Sequence, residues 1–123
     1  MHRLLILIAI PLCFVCGLMA PAVFAADYCP SVTVADTQYC ECIVHNYATT
    51  ADANVTITVF NNGAVARTCG PLTIAAGGDF YCDIQFTSFG LCACKVTGEG
   101  LLIRTSLCVD PGDFNPLVCV PCK

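Results

Sequence analysis

Basic residues are scarce in this chain. Lysine and arginine together number five in 123 residues, and the four charged types make up only 11%. Five cations cannot form the stripe that phosphate contacts require, so nucleic acid is excluded as a partner. The same shortage of charge, set against 57% hydrophobic residues, is the opposite of a disordered composition. Histidine occurs twice, and no serine sits in a Gly-x-Ser-x-Gly elbow, so the lipase and esterase arrangement is missing. No helical stripe follows residue 25, and without a helix no glycine loop is expected to cradle phosphate. The expectation is a protein that is not an enzyme, with no catalytic residues, no metal and no cofactor.

Cysteine, by contrast, is abundant, with twelve in the chain. Its significance depends on where the chain goes. His2 and Arg3 form a short polar start, 4–20 is apolar apart from Pro11 and Gly17, and Val23-Phe24-Ala25 places small or aliphatic residues where signal peptidase reads them. An export signal over 1–25 is therefore expected, cleaved before Ala26. The rival is an uncleaved membrane anchor, which Pro11, Pro21 and the cleavage triplet disfavour. Removing 25 residues from 123 leaves 98, and Cys13 and Cys16 leave with the signal, so ten cysteines remain. Four basic residues (Arg67, Lys95, Arg104, Lys123) then face nine acidic ones, for a net charge of −5. Ten cysteines in 98 exported residues mark a disulfide scaffold in an oxidising compartment, either secreted or periplasmic. The even number permits five bridges and no free thiol.

The mature region 26–123 reads as one domain of short strands. Period-two alternation separated by turn residues places strands at 32–35, 39–46, 53–60, 64–69, 79–86, 91–97 and 101–109. The third is clearest, with Val55, Ile57 and Val59 on one face and Asn54, Thr56 and Thr58 on the other. Asn61-Asn62-Gly63 supplies the positive-φ residues of a tight hairpin, and Pro71 is expected to end the fourth run. With no room for crossover helices, about seven strands argue for an all-β, antiparallel, immunoglobulin-like sandwich, with a barrel as the alternative. Residues 110–123 differ: Asp110-Pro111-Gly112-Asp113-Phe114-Asn115-Pro116 cannot continue a strand, and a tail stapled back onto the domain is expected.

Two Cys-x-Cys pairs fix most of the expected pairing. Glu41 and His45 should face water in their strand, which turns Cys40, Cys42 and Val44 inward; Lys95 does the same for Cys92, Cys94 and Val96. Cysteines two apart on one strand are badly placed to bond each other, because their Cβ vectors run side by side. In an immunoglobulin-like sandwich these strands face each other in opposite sheets and run the same way. Cys40 with Cys92 and Cys42 with Cys94 is then the natural pairing. Cys82 is expected inward with Phe80 and Ile84, and Cys69 with Cys82 would close a short loop. Cys29, Cys108, Cys119 and Cys122 pair among themselves in an order the sequence leaves open.

Other chemistry is mostly refused. Two facing Cys-x-Cys pairs have the makings of a four-thiolate zinc site, but an oxidising route argues against it. Cys119-Val120-Pro121-Cys122 has redox spacing but lacks the helix that would activate its first thiol. His45 is expected to share an outer face with Glu41, with Asp79 and Asp83 solvated. Asp110 and Asp113 flank ordinary turn residues and are too few for calcium. Asn54-Val55-Thr56 fits a glycosylation sequon. Tyr28, Tyr39, Tyr47, Tyr81, Phe89 and Phe114 are the aromatic residues from which a ligand patch would be drawn, with Phe89 and Phe114 the first candidates for partner contact.

Val55-Thr56-Ile57-Thr58-Val59-Phe60-Asn61-Asn62-Gly63, followed by Leu72-Thr73-Ile74-Ala75-Ala76-Gly77-Gly78, resembles the strand, hairpin and turn of bacterial exported immunoglobulin-like β-sandwich modules. Cys94-Lys95-Val96-Thr97-Gly98 with Ile103-Arg104-Thr105-Ser106-Leu107-Cys108 looks like the last two strands of small secreted bacterial proteins of unassigned activity. The likeness covers about 31–109 and implies a sandwich. The expectation from residues and resemblance together is a non-catalytic secreted or periplasmic module that binds a protein or envelope partner, with no membrane contact after signal cleavage. The alternatives are a small inhibitor or effector using the loop 111–116, and a thiol-based metal or redox protein.

Overall fold

The computed structural model describes residues 23–99, 102–112 and 118–123. Residues 1–22, which hold most of the expected export signal with Cys13 and Cys16, lie outside them, as do Asp113, Phe114 and the rest of 113–117. The described residues form nine strands and no helix: β1 Val23–Tyr28, β2 Val32–Val34, β3 Tyr39–Asn46, β4 Ala53–Asn61, β5 Ala64–Ile74, β6 Asp79–Gln85, β7 Gly90–Glu99, β8 Ile103–Asp110 and β9 Val118–Pro121. They make two antiparallel sheets. The first runs β1-β7-β4-β5, with β2 also against β7, and the second runs β6-β3-β8-β9.

Alternation explains why these segments are strands and which way they face. Along β3 the buried residues are Cys40, Cys42, Val44 and Asn46, while Tyr39, Glu41, Ile43 and His45 look outward. Along β4 Val55, Ile57 and Val59 are buried to within 1% of full, and β7 buries Cys92, Cys94 and Val96. These inner faces meet Val34, Phe86 and Leu107 in one core between the sheets. A β-sandwich is the result, as the strand pattern implies.

Its connectivity departs from the immunoglobulin plan at both ends. In that plan the last strand lies beside the sixth, in the sheet opposite the second. Here the last long strand, β8, pairs with β3 along eight residues, and β1 and β2 take the edge of β7 instead. First and last strands have exchanged sheets, while the central pairs β3·β6 and β4·β7 remain.

One other expectation needs correcting, and a second needs refining. Pro71 does not end β5, which continues to Ile74. β5 is an edge strand, and its pairing with β4 slips between Val55 and Ile57, so Gly70 and Pro71 sit at a bulge where a missing N–H breaks no ladder bond. Phe80 shares the inner face with Cys82, opposite Val44, but at the start of edge strand β6 it is not covered and remains 39% exposed. The hairpin after β4 does follow the sequence: Asn62 and Gly63 take φ of 50° and 83°, the two positive values that a two-residue turn needs.

Polar groups finish the ends. Asn46 is 1% exposed, and its side chain donates to the carbonyls of Ala51 and Ile74 and accepts from the Ala48 N–H. It thereby ties the loop after β3 to the end of β5. At the opposite margin, β9 returns antiparallel to β8, and Tyr28 and Lys123 exchange two backbone hydrogen bonds of 3.0 and 3.2 Å. The tail is folded back onto the domain and also reaches the first sheet.

Candidate functional site

The ten cysteines among the described residues form five bridges with a clear division of labour. Cys40–Cys92 and Cys42–Cys94 cross the centre of the sandwich side by side, from β3 to β7. Cys69–Cys82 joins edge strands β5 and β6, where the Arg67 guanidinium of β5 also donates to the Asp83 carboxylate and carbonyl of β6 at 3.0 and 2.8 Å. Cys29–Cys122 closes the other margin, and Cys108–Cys119 links directly opposed residues of β8 and β9. Both open margins are thus tied, and the two sheets cannot slide.

On this rigid body the outer face of the second sheet carries a depression of about 360 Å³, lined by Tyr39, Glu41, Tyr81, Asp83, Asp110 and Gly112. Register assembles it. Glu41 lies opposite Asp83 across β3 and β6, and Tyr39 lies opposite Asp110 across β3 and β8. Three carboxylates from three strands therefore converge between two tyrosines. Asp110 is 1% exposed and accepts the Gly112 N–H at 2.6 Å, the turn chemistry its sequence implies. Burial first, and then the charges of Asp110 and Asp83, hold the Glu41 carboxyl above the usual glutamate range.

That shift has a stability consequence. The folded chain binds the Glu41 proton more tightly than the unfolded chain does. The associated stability is fully present below the ordinary value of 4.5 and is lost as pH rises through the raised value. Glu41→Gln should therefore raise Tm at pH 7, with the gain shrinking to nothing below pH 4.5, in paired melting curves across that range. A Tm difference independent of pH would mean that Glu41 is not strained by its neighbours.

Other residues singled out by sequence fall elsewhere. His45 shares the outer face of β3 with Glu41, but four residues along a strand separate the two by about 13 Å. It faces Asp79 across β3 and β6 and pairs with that carboxylate, so neither Asp79 nor Asp83 is merely solvated. The His45 ring also meets Tyr47 edge-on at 4.0 Å, and the Arg104 guanidinium lies over the Tyr47 ring, 5.6 Å from its centre. Tyr28 packs under Lys95 at 5.2 Å, and Phe89 stands alone at 71% exposure. Asn54 is exposed and accepts the Thr73 hydroxyl at 2.7 Å.

Tyr39 and Tyr81 come from the aromatic set that the sequence offers, and the structure brings them to one site. Their convergence with Glu41, Asp83 and Asp110 was not readable, since the site depends on which strands are neighbours. Among the described residues, one group has spacing suited to a metal: the sulfurs of Cys29, Cys94 and Cys122, within 4.8 Å of one another. All three are engaged in bridges and offer no thiolate. No helix among the described residues is long and apolar enough to cross a membrane. No family model, no curated protein and no solved structure matches the chain.

Proposed function

We propose that this chain is a non-catalytic binding module of an oxidising compartment, secreted or periplasmic, that holds a basic group of a protein or envelope partner on the outer face of its second sheet. The observation that carries this reading is the depression in which Glu41, Asp83 and Asp110 converge between Tyr39 and Tyr81. A lysine or arginine side chain is complementary to it twice over, through carboxylates that accept its hydrogen bonds and through rings that favour a cation over their faces. Five disulfides support the role by keeping the site in shape outside the cell, at little ordering cost on binding. Export follows from the signal pattern over 1–25. Cleavage before Ala26 leaves the Asp27 and Tyr28 pairings of β1 in place.

The test is titration of the purified chain with a lysine- and arginine-containing peptide and with its citrulline and acetyl-lysine counterpart, following tyrosine fluorescence. Binding should favour the charged peptide and weaken with added salt. Glu41→Gln combined with Asp83→Asn should cost about tenfold in affinity, or about 1.4 kcal/mol. Equal binding of the two peptides, or of the double variant, would dismiss the basic-group reading.

A further inference from the structure

The Cys29–Cys122 and Cys42–Cys94 bridges touch. Cys29 Sγ lies 2.9 Å from Cys94 Sγ, so one sulfur is bonded to Cys122 and simultaneously in contact with a second disulfide. The two bridges differ sharply in access. Cys42 and Cys94 are 0% and 1% exposed. Cys122 is half-buried and lines a cleft of about 300 Å³ together with Asp27, Ile103, Arg104, Thr105 and Pro121. A small thiol entering that cleft reaches Cys122. Arg104 contributes to the cleft wall while its guanidinium lies over the Tyr47 ring, and Asp27 in that wall accepts the Thr105 hydroxyl at 3.1 Å.

We propose that these four cysteines form a thiol–disulfide relay, in which opening the accessible margin bridge transfers the exchange into the core. An external dithiol supplies the electrons. Its thiolate attacks Cys122 Sγ, a bond forms between them, and the Cys29–Cys122 bond breaks with its electron pair leaving on Cys29. The Cys29 thiolate, already against Cys94 Sγ, attacks it; a Cys29–Cys94 bond forms and the Cys42–Cys94 bond breaks, the pair leaving on Cys42, which takes a proton from solvent. The second thiol of the external dithiol closes on its own sulfur and releases Cys122 as a thiol. The net change is two electrons gained by the protein and one dithiol oxidised to a disulfide. The chain keeps a covalent tie from its N-terminal side to β7, and it now presents a free Cys122 beside the cleft. This makes Cys122 the point of contact for a dithiol oxidoreductase, independently of any partner on the second sheet's outer face.

Limited reduction of the native wild-type protein with one equivalent of dithiothreitol, acid quenching, alkylation in denaturant and non-reducing peptide mapping test the relay. The expected product carries alkyl groups on Cys42 and Cys122 and a new Cys29–Cys94 cross-link, with Cys40–Cys92 intact. A Cys122→Ser variant, oxidised during export, should carry its one free thiol on Cys42, reactive only after denaturation. Alkylation of Cys29 and Cys122 with Cys42–Cys94 unchanged overturns the proposal. First opening at Cys108–Cys119 or Cys69–Cys82 overturns it equally, as does a free Cys29 in the variant.

Discussion

Replacing Cys40, Cys42, Cys92 and Cys94 together by alanine is expected to leave the chain largely unfolded at 25 °C, whereas losing either pair alone leaves it folded. Each bridge closes a 52-residue interval, and loop-closure entropy alone assigns such a loop about 4 kcal/mol. The two are nested side by side, however, two residues apart on the same pair of strands. Once one is formed, the other closes only a ring of a few residues, which the same relation values at about 2 kcal/mol. Single removal should thus cost about 2 kcal/mol, and double removal about 6, against roughly 5–15 for a whole domain. The sulfurs are also core atoms, at 0–1% exposure, so vacated space adds to the loss. Urea titrations of the two single-bridge variants and the double variant check this as a coupling of about 2 kcal/mol. Additive losses would mean that the bridges act through packing rather than through chain closure.

Gly98→Ala should be the most damaging single substitution on the first sheet. Gly98 lies in β7 between β4 and β1, opposite Val55 and Phe24. Its φ is +151°, and a Cβ there would stand 2.0 Å from the Asn54 carbonyl oxygen and 2.8 Å from Val55 Cα. Both obstacles are backbone of a strand hydrogen-bonded on each side, so no side-chain rotation relieves the clash. The expected cost is about 3 kcal/mol or more, a fall in Tm of roughly 15 °C by the usual scaling for a domain of this size. Gly63→Ala serves as the control: its φ is also positive, at +83°, but nothing lies within 4 Å of the added carbon. It should lose only about 1 kcal/mol. Equal losses at the two sites would show that β7 and β4 do not approach so closely.

The sheets were legible in the sequence because burial alternates so regularly. Glu41, His45 and Lys95 mark outward positions, and their neighbours Cys40, Cys42, Cys92 and Cys94 could only face across the core. The hairpin was legible at Asn62-Gly63 for the same local reason. What escaped was non-local. Nothing in the residues of β8 says that it pairs with β3 rather than with β7, and the exchange of first and last strands leaves every alternation pattern unchanged. The depression was illegible on the same account. In the sequence Glu41, Asp83 and Asp110 are three unremarkable carboxylates, and only two inter-strand registers bring them together. The pairing of His45 with Asp79 is likewise a property of register. The bridging partners of Cys29 and Cys108 depended on where the returning tail lies, which alternation does not encode.

The margin bridge between Cys29 and Cys122 also gives the fold a mechanical character. Tension applied outside those two residues runs through one S–S bond and never loads the 93-residue interval between them. Strand separation, the ordinary way a sandwich yields under load, is therefore bypassed. Opening that bond does not release the whole interval. The Cys29–Cys94 cross-link formed by the exchange and the β8–β9 bridge short-circuit the path, leaving about 17 residues to extend, or roughly 55 Å. The chain would behave as an inextensible link when oxidised and would lengthen by one bounded step when its margin bridge is cut.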